Sequence, residues 1–143
     1  MADSEMITAH VEESGESVYA VTISVSGHTF TGDEPIEKGG GNLGPNPYDL
    51  LTAALGECTA MTIRWYARRQ QWPLEKVEVN MTHSKQDMPA EEGGKPRKVD
   101  VFEKNITLHG DALTGEQRSK LIDVAAKCPV QRTLESDIVI KTT

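Results

Sequence analysis

Cysteine is scarce in this chain: two in 143 residues, Cys58 and Cys128, some seventy positions apart and in no CxxC arrangement. That scarcity leaves no disulfide framework and no zinc-ribbon or thioredoxin-type signature. The four histidines, His10, His28, His83 and His109, show neither HxH nor HExxH spacing, so no metal site is expected. Long apolar runs are also missing. Nothing approaches the roughly 20 consecutive apolar residues of a membrane-spanning helix, and the opening Met-Ala-Asp-Ser-Glu lacks the basic and apolar regions of a signal peptide. A cytoplasmic protein without membrane partners is the expectation. Positive charge is in deficit, with 15 Lys and Arg against 22 Asp and Glu and a net charge of -7. The basic residues form no stripe interleaved with aromatics, which argues against nucleic acid. Gly39-Gly40-Gly41 lacks the GK[ST] ending of a phosphate loop. Hydrophobic content is 37%, below the usual globular share, so the core should be modest and a dimer interface would add burial.

What is present reads as one α+β domain spanning 1–143. Residues 5–32 carry strand patterning, with Val18, Ala20, Ile23 and Val25 among Thr and Ser, and Ser26-Gly27-His28 is a hairpin turn. From Gly32 to Pro47 the density of Gly and Pro predicts an elaborate loop. Asn46 before Pro47 has the chemistry of a helix start, and the helix should run to about Gln70. Its apolar stripe is read as Leu51, Leu55, Cys58, Thr62 and Trp65, widened by Leu50, Ala54 and Met61. Gln71-Trp72-Pro73 ends it. Val77, Val79 and Met81 then alternate with polar residues as a strand, and a second strand is expected over Lys98–His109, with Gln86–Pro96 as a loop between them. Thr114-Gly115-Glu116-Gln117 has capping-box form and opens a second helix that stops near Cys128-Pro129. Asp137–Lys141 is read as a closing strand.

The chemistry rests on the cysteines. A cysteine on the apolar face of a helix is often only a small hydrophobe. If the two helices pack through their apolar faces, however, Cys58 and Cys128 come within reach of a disulfide and form a redox pair. A reactive thiolate then needs a cation, an N–H donor or a base beside it. Glu57 points about 100° away around the helix and would oppose ionisation. Arg64, Arg68 and Arg69 read as a solvated helix surface, which leaves Arg132, four residues beyond Cys128, as the basic residue of interest. Trp65, Tyr66 and Trp72 read as core or interface area, or as the lining of an apolar pocket.

The block Gly44-Pro45-Asn46-Pro47-Tyr48-Asp49-Leu50-Leu51-Thr52-Ala53-Ala54-Leu55-Gly56-Glu57-Cys58-Thr59-Ala60-Met61-Thr62 resembles the active-site helix of the OsmC/Ohr family. Lys127-Cys128-Pro129-Val130-Gln131-Arg132-Thr133-Leu134 is similar to that family's resolving-cysteine segment. The resemblance covers the chain from Val18 onward. It implies an OsmC-like fold, with antiparallel sheets wrapped around a long central helix, in an intertwined homodimer. It also implies a thiol peroxidase acting on organic hydroperoxides without metal, flavin or other cofactor. In that scheme Cys58 is the peroxidatic thiol, which becomes a sulfenic acid, and Cys128 resolves it as a disulfide that an external thiol or dithiol reduces. The family's activating pair is a Glu following Asn-Pro and an Arg from the N-terminal sheet. Here Tyr48 takes the Glu position, Asp49 is the nearest carboxylate, and no arginine precedes Arg64. The resemblance therefore points to an OsmC-like branch with Tyr48, Asp49 and Arg132 as supporting candidates. The competing reading is a non-catalytic dimer that holds an apolar ligand, with structural or merely redox-responsive cysteines.

Overall fold

Ser26 and Gly27 both take positive φ, 50° and 81°, the conformation that lets a two-residue turn follow the twist of the strands it joins. The turn links β2 (Val21–Val25) to β3 (His28–Gly32), and β2 also pairs antiparallel with β1 (Ala9–Glu13), giving a sheet of order β1-β2-β3. The computed structural model describes residues 6–143. Residues 1–5, which carried the argument about a leader and where the strand region was expected to open, lie outside the described residues. Val18 and Ala20 precede β2 and are not themselves in a strand.

The chain divides into two compact units, one ending at Leu50 and the other running from Leu51 to Thr143. In the first, the Gly- and Pro-rich segment is an ordered loop with a short 3-10 turn at Ile36–Lys38. Its organiser is Asp33, 4% exposed. The carboxylate accepts hydrogen bonds from the Ser17 hydroxyl (2.9 Å) and from the amides of Glu34 (2.8 Å), Gly41 (3.0 Å) and Leu43 (3.2 Å). One side chain thus satisfies backbone groups that no ladder reaches.

The helix α1 (Pro47–Gln70) begins and ends where the sequence places it. Asn46 and Asp49 form a reciprocal cap: the Asn46 side chain accepts from the Asp49 amide (2.8 Å) and the Asp49 carboxylate accepts from the Asn46 amide (2.9 Å). The buried face matches the expected one only in part: Leu55 is buried and Leu50, Cys58 and Thr62 are half-buried, but the rest of the stripe is displaced. Leu55, Gly56, Thr59, Ile63 and Ala67 point inward, whereas Leu51, Met61 and Trp65 are exposed. Gly56 keeps the inward stripe small where β4 (Lys76–Met88) passes close by. A Cβ added to Gly56 would lie 2.8 Å from Met81 Cγ, so close approach offsets the roughly 1 kcal/mol that glycine costs inside a helix.

β4 pairs antiparallel with β5 (Arg97–His109) along its full length, Lys76 opposite His109 and Met88 opposite Arg97. Gln86, Asp87 and Met88, expected in the loop, therefore extend the strand, and the connecting loop is confined to 89–96. α2 (Gly115–Ala125) starts at the Thr114–Gln117 capping box, with both reciprocal bonds formed. Beyond it lies a further short helix, α3 (Pro129–Leu134), where the sequence reading had only the end of α2. Ile63, Ala67, Leu74, Leu113, Leu121 and Ala125 form the core of this second unit, flanked by Tyr66, Trp72, Val77, Ile106 and Leu108. Arg64 is half-buried rather than a solvated surface residue, and its guanidinium donates to the carbonyls of Leu74 (2.7 Å) and Glu75 (3.2 Å).

Asp137–Lys141 forms no strand. Ile138, Val139 and Ile140 have the composition of one, yet they are exposed and pair with no described strand. Strand propensity becomes a strand only against a partner backbone. Among the described residues no helix is long and apolar enough to cross a membrane, and no three His, Cys, Asp or Glu gather as metal ligands.

Burial opposes ionisation of Asp33, but the Ser17 hydroxyl and the Glu34, Leu43 and Gly41 amides outweigh it and hold the carboxyl below its usual value. Its stabilising contribution is therefore full above the unfolded carboxyl value of about 3.9 and is lost as pH falls through the lower folded one. We expect Asp33→Asn to lower the thermal midpoint at pH 7, with the gap to wild type closing toward about pH 2. Thermal melts of both proteins across that range check it; an equal gap at every pH would contradict it.

Candidate functional site

Cys58 lies in the first half of α1, three residues after buried Leu55, and its side chain is half-buried. Cys128 directly precedes Pro129, the first residue of α3, and is 0% exposed. The two thiols interact directly with each other. The sequence expectation that the cysteines meet is thus realised, through α1 and the α2–α3 junction, with both sulfurs reduced.

Each sulfur has its own surroundings. The Val130 amide donates to Cys58 Sγ at 3.4 Å. Cys128 Sγ lies 3.6 Å from Thr59 Oγ1 and 3.8 Å from Lys104 Nζ. Thr59 is fully buried, and its hydroxyl also reaches the Leu55 carbonyl at 2.8 Å. A hydroxyl carries one proton, so Thr59 donates either to that carbonyl or to the sulfur. When Cys128 is ionised the charged acceptor draws it, and the Leu55 carbonyl remains within the helix ladder. Lys104 comes from β5. Its ammonium donates to the Gln131 side-chain oxygen (2.6 Å) and to the Ala125 carbonyl (2.8 Å), which places a cation at the carboxyl end of α2 and beside the buried sulfur.

These surroundings split the pair. Burial, followed by the contact with Cys128, raises the Cys58 thiol above its ordinary value against the opposing Val130 amide and Thr62 hydroxyl. Burial also opposes the Cys128 thiolate, but Thr59, the Gln131 amide, the Cys58 thiol and the Lys104 charge together outweigh it and bring Cys128 below its ordinary value. Two groups in contact titrate as a unit, and these surroundings favour the first negative charge on Cys128 over Cys58.

The other sequence candidates fall elsewhere. Asp49 is engaged in the helix cap with Asn46, and Tyr48 is exposed in the first turn of α1. Arg132 is exposed in α3, where its backbone amide bonds the Cys128 carbonyl (3.1 Å). The cation against a cysteine sulfur is Lys104, which the sequence reading passed over. Its signal was present: Phe102, Lys104, Ile106 and Leu108 share one face of β5, and a lysine on a half-buried face needs a partner. Beside Lys104 opens a cavity of about 490 Å³ walled mainly by Leu55, Phe102, Ile106, Ile122 and Leu134.

The family profile described as OsmC-like protein matches residues 39–143, nearly the whole segment that carries these elements. The chain belongs to the OsmC-like family. Solved structures agree on the fold. An OsmC-like protein from Mycoplasma pneumoniae is 22% identical, with 94% of this chain and 89% of that one aligned at a TM-score of 0.68. An organic hydroperoxide resistance protein from Elizabethkingia anophelis is 19% identical over 96% and 93%, with a TM-score of 0.68. An organic hydroperoxide resistance protein from Legionella pneumophila is 21% identical over 91% and 89%, with a TM-score of 0.60. No curated protein matches. The OsmC-like fold is thus established as α+β with antiparallel sheets and a long helix, as the sequence implied.

Thr59 carries the only hydroxyl against the Cys128 sulfur among these contacts, so Thr59→Val should move the Cys128 titration upward with little change in shape. Thiolate absorbance followed against pH in a Cys58→Ser background reads it directly. An unchanged midpoint would show that the hydroxyl does not serve the sulfur.

Proposed function

We propose that this OsmC-like protein is a thiol-dependent peroxidase that reduces organic hydroperoxides through Cys58 and Cys128. The observation that carries the reading is the direct contact between a half-exposed thiol and a buried one, each with its own hydrogen-bonding group. Cys58 attacks the terminal peroxide oxygen, the O–O bond breaks, and an alcohol leaves a Cys58 sulfenic acid. Cys128 then attacks that sulfur, forming the disulfide and releasing water. An external thiol or dithiol restores both thiols. No cofactor enters this sequence of steps. The neighbours from Elizabethkingia anophelis and Legionella pneumophila are described as organic hydroperoxide resistance proteins, which supports the same chemistry here.

The apolar cavity beside Lys104 suits the hydrocarbon part of such a hydroperoxide better than hydrogen peroxide. Asp49 contributes by holding the start of α1, while Tyr48 and Arg132 receive no chemical step. A homodimer accounts for the exposed Leu51, Met61 and Trp65 on α1 and for the unpaired Ile138–Ile140 segment, which together leave apolar surface that a second copy would cover. The alternative of a ligand-binding or redox-responsive dimer draws on one specific observation: the position of the family's activating carboxylate is held by Tyr48, and Asp49 is occupied in the cap.

Mass spectrometry after mixing with an equimolar amount of cumene hydroperoxide decides between them. Rapid loss of about 2 Da in wild type is expected, with a sulfenic or overoxidised Cys58 in Cys128→Ser and no reaction in Cys58→Ser. Wild-type cysteines that stay reduced over many minutes would favour the binding protein.

A further inference from the structure

Cys58 Sγ has one N–H donor, the Val130 amide at 3.4 Å, but a thiol must also lose its proton to a base, and neither of the family's activating residues is available in the sequence. The ionisable group in contact with the Cys58 thiol is the other sulfur, and that sulfur is the one beside a lysine, 3.8 Å from Lys104 Nζ, and beside a buried hydroxyl, 3.6 Å from Thr59 Oγ1. Lys104 is held in place by Gln131 (2.6 Å) and the Ala125 carbonyl (2.8 Å), so its ammonium cannot leave the sulfur without giving up both bonds. Cys128 itself is 0% exposed and is shielded from any peroxide, while Cys58 is not.

Resting on the peroxidase reading above, we infer that Cys128, held as a thiolate by Lys104 and Thr59, is the base that deprotonates Cys58, so that one cysteine both activates and resolves the other. The Cys58 proton passes to Cys128. The Cys58 thiolate attacks the terminal oxygen of the hydroperoxide, the S–O bond forms and the O–O bond breaks. The departing alkoxide takes the proton back from Cys128 and leaves as the alcohol. Cys128, again a thiolate, attacks the sulfur of the Cys58 sulfenic acid, the S–S bond forms as the S–O bond breaks, and the expelled hydroxide takes a proton from the buffer and leaves as water. The hydroperoxide gains two electrons and the cysteine pair loses two. Lys104 touches no reacting atom of the substrate in this scheme and acts as a positioning residue. The direction in which the pair is polarised, charge on Cys128 and proton on Cys58, agrees with it.

The ionisable groups in contact with the Cys128 sulfur are Cys58 from α1 and Lys104 from β5. Around it α2 and α3 contribute the Ala125 carbonyl and Gln131, which do not titrate, and Glu135 lines the same cavity as Lys104. The test is the single-turnover rate of Cys58 oxidation by cumene hydroperoxide against pH, followed by mass. Wild type, Lys104→Met, Lys104→Arg and Cys128→Ser are compared, with circular dichroism as the fold check. Lys104→Met should be about tenfold slower at pH 7, with its profile displaced upward by about one unit and the wild-type rate regained at high pH. Lys104→Arg should restore most of the loss. Cys128→Ser should slow this first step as well as the later disulfide, which a purely resolving cysteine would not do. Equal pH profiles for Lys104→Met and wild type, or undiminished Cys58 oxidation in Cys128→Ser, would overturn the inference and leave the peroxidase reading standing. A wild-type Cys58 inert at every pH would overturn both.

Discussion

Everything distinctive in the second unit converges on the seat of the Cys128 sulfur. Burying a thiol among apolar groups favours its neutral form, and a charged sulfur there requires donors that are fixed in advance. Thr59 supplies one from α1, Lys104 brings a full charge from β5, and Lys104 is itself anchored by the last carbonyl of α2 and by Gln131 of α3. Four elements thus meet at one atom. Moving any of them changes the electrostatics of the sulfur as well as the packing, which ties the ionisation of the Cys128 thiol to the fold.

That arrangement explains why α1 has two unlike faces. Its inward face must let β4 approach at Gly56 and must offer a hydroxyl at the turn facing Cys128, so Gly56, Thr59 and Ala67 are interleaved there with Leu55 and Ile63. The large apolar residues, Leu51, Met61 and Trp65, are left on the outside. A search for hydrophobic periodicity weights residues by size and apolar character, so it is drawn to Leu51, Met61 and Trp65 and overlooks Gly56, Thr59 and Ala67 between Leu55 and Ile63. The helix limits were legible because Asn46-Pro47 and Gln71-Trp72-Pro73 act locally, and the Thr114–Gln117 cap was legible for the same reason. Asp137–Lys141 was not, because strand formation depends on a partner that lies beyond the local sequence. The meeting of the two cysteines was foreseeable from the motifs. Lys104 was hidden by distance: twenty-four residues separate it from Cys128, and only β5 pairing with β4 carries it there.

Membership of the OsmC-like family sets the frame, and the departures from its pattern define this protein within it. The carboxylate at the head of α1 is used for capping, a structural task with reciprocal bonds at 2.8 and 2.9 Å. The positive charge comes from the strand behind the buried cysteine instead of from the N-terminal sheet. A cation beside the buried sulfur favours negative charge on Cys128 over Cys58.

The central claim is that Cys58 and Cys128 form one redox couple within a single chain. The most direct test is an equilibrium titration of the purified protein in mixtures of oxidised and reduced dithiothreitol, quenched by alkylation and mapped by peptide mass. The account predicts a single two-electron transition between a doubly alkylated form and a Cys58–Cys128 disulfide. Cysteines that stay separately alkylated even in the most oxidising mixture, or that pair only between chains, would contradict it.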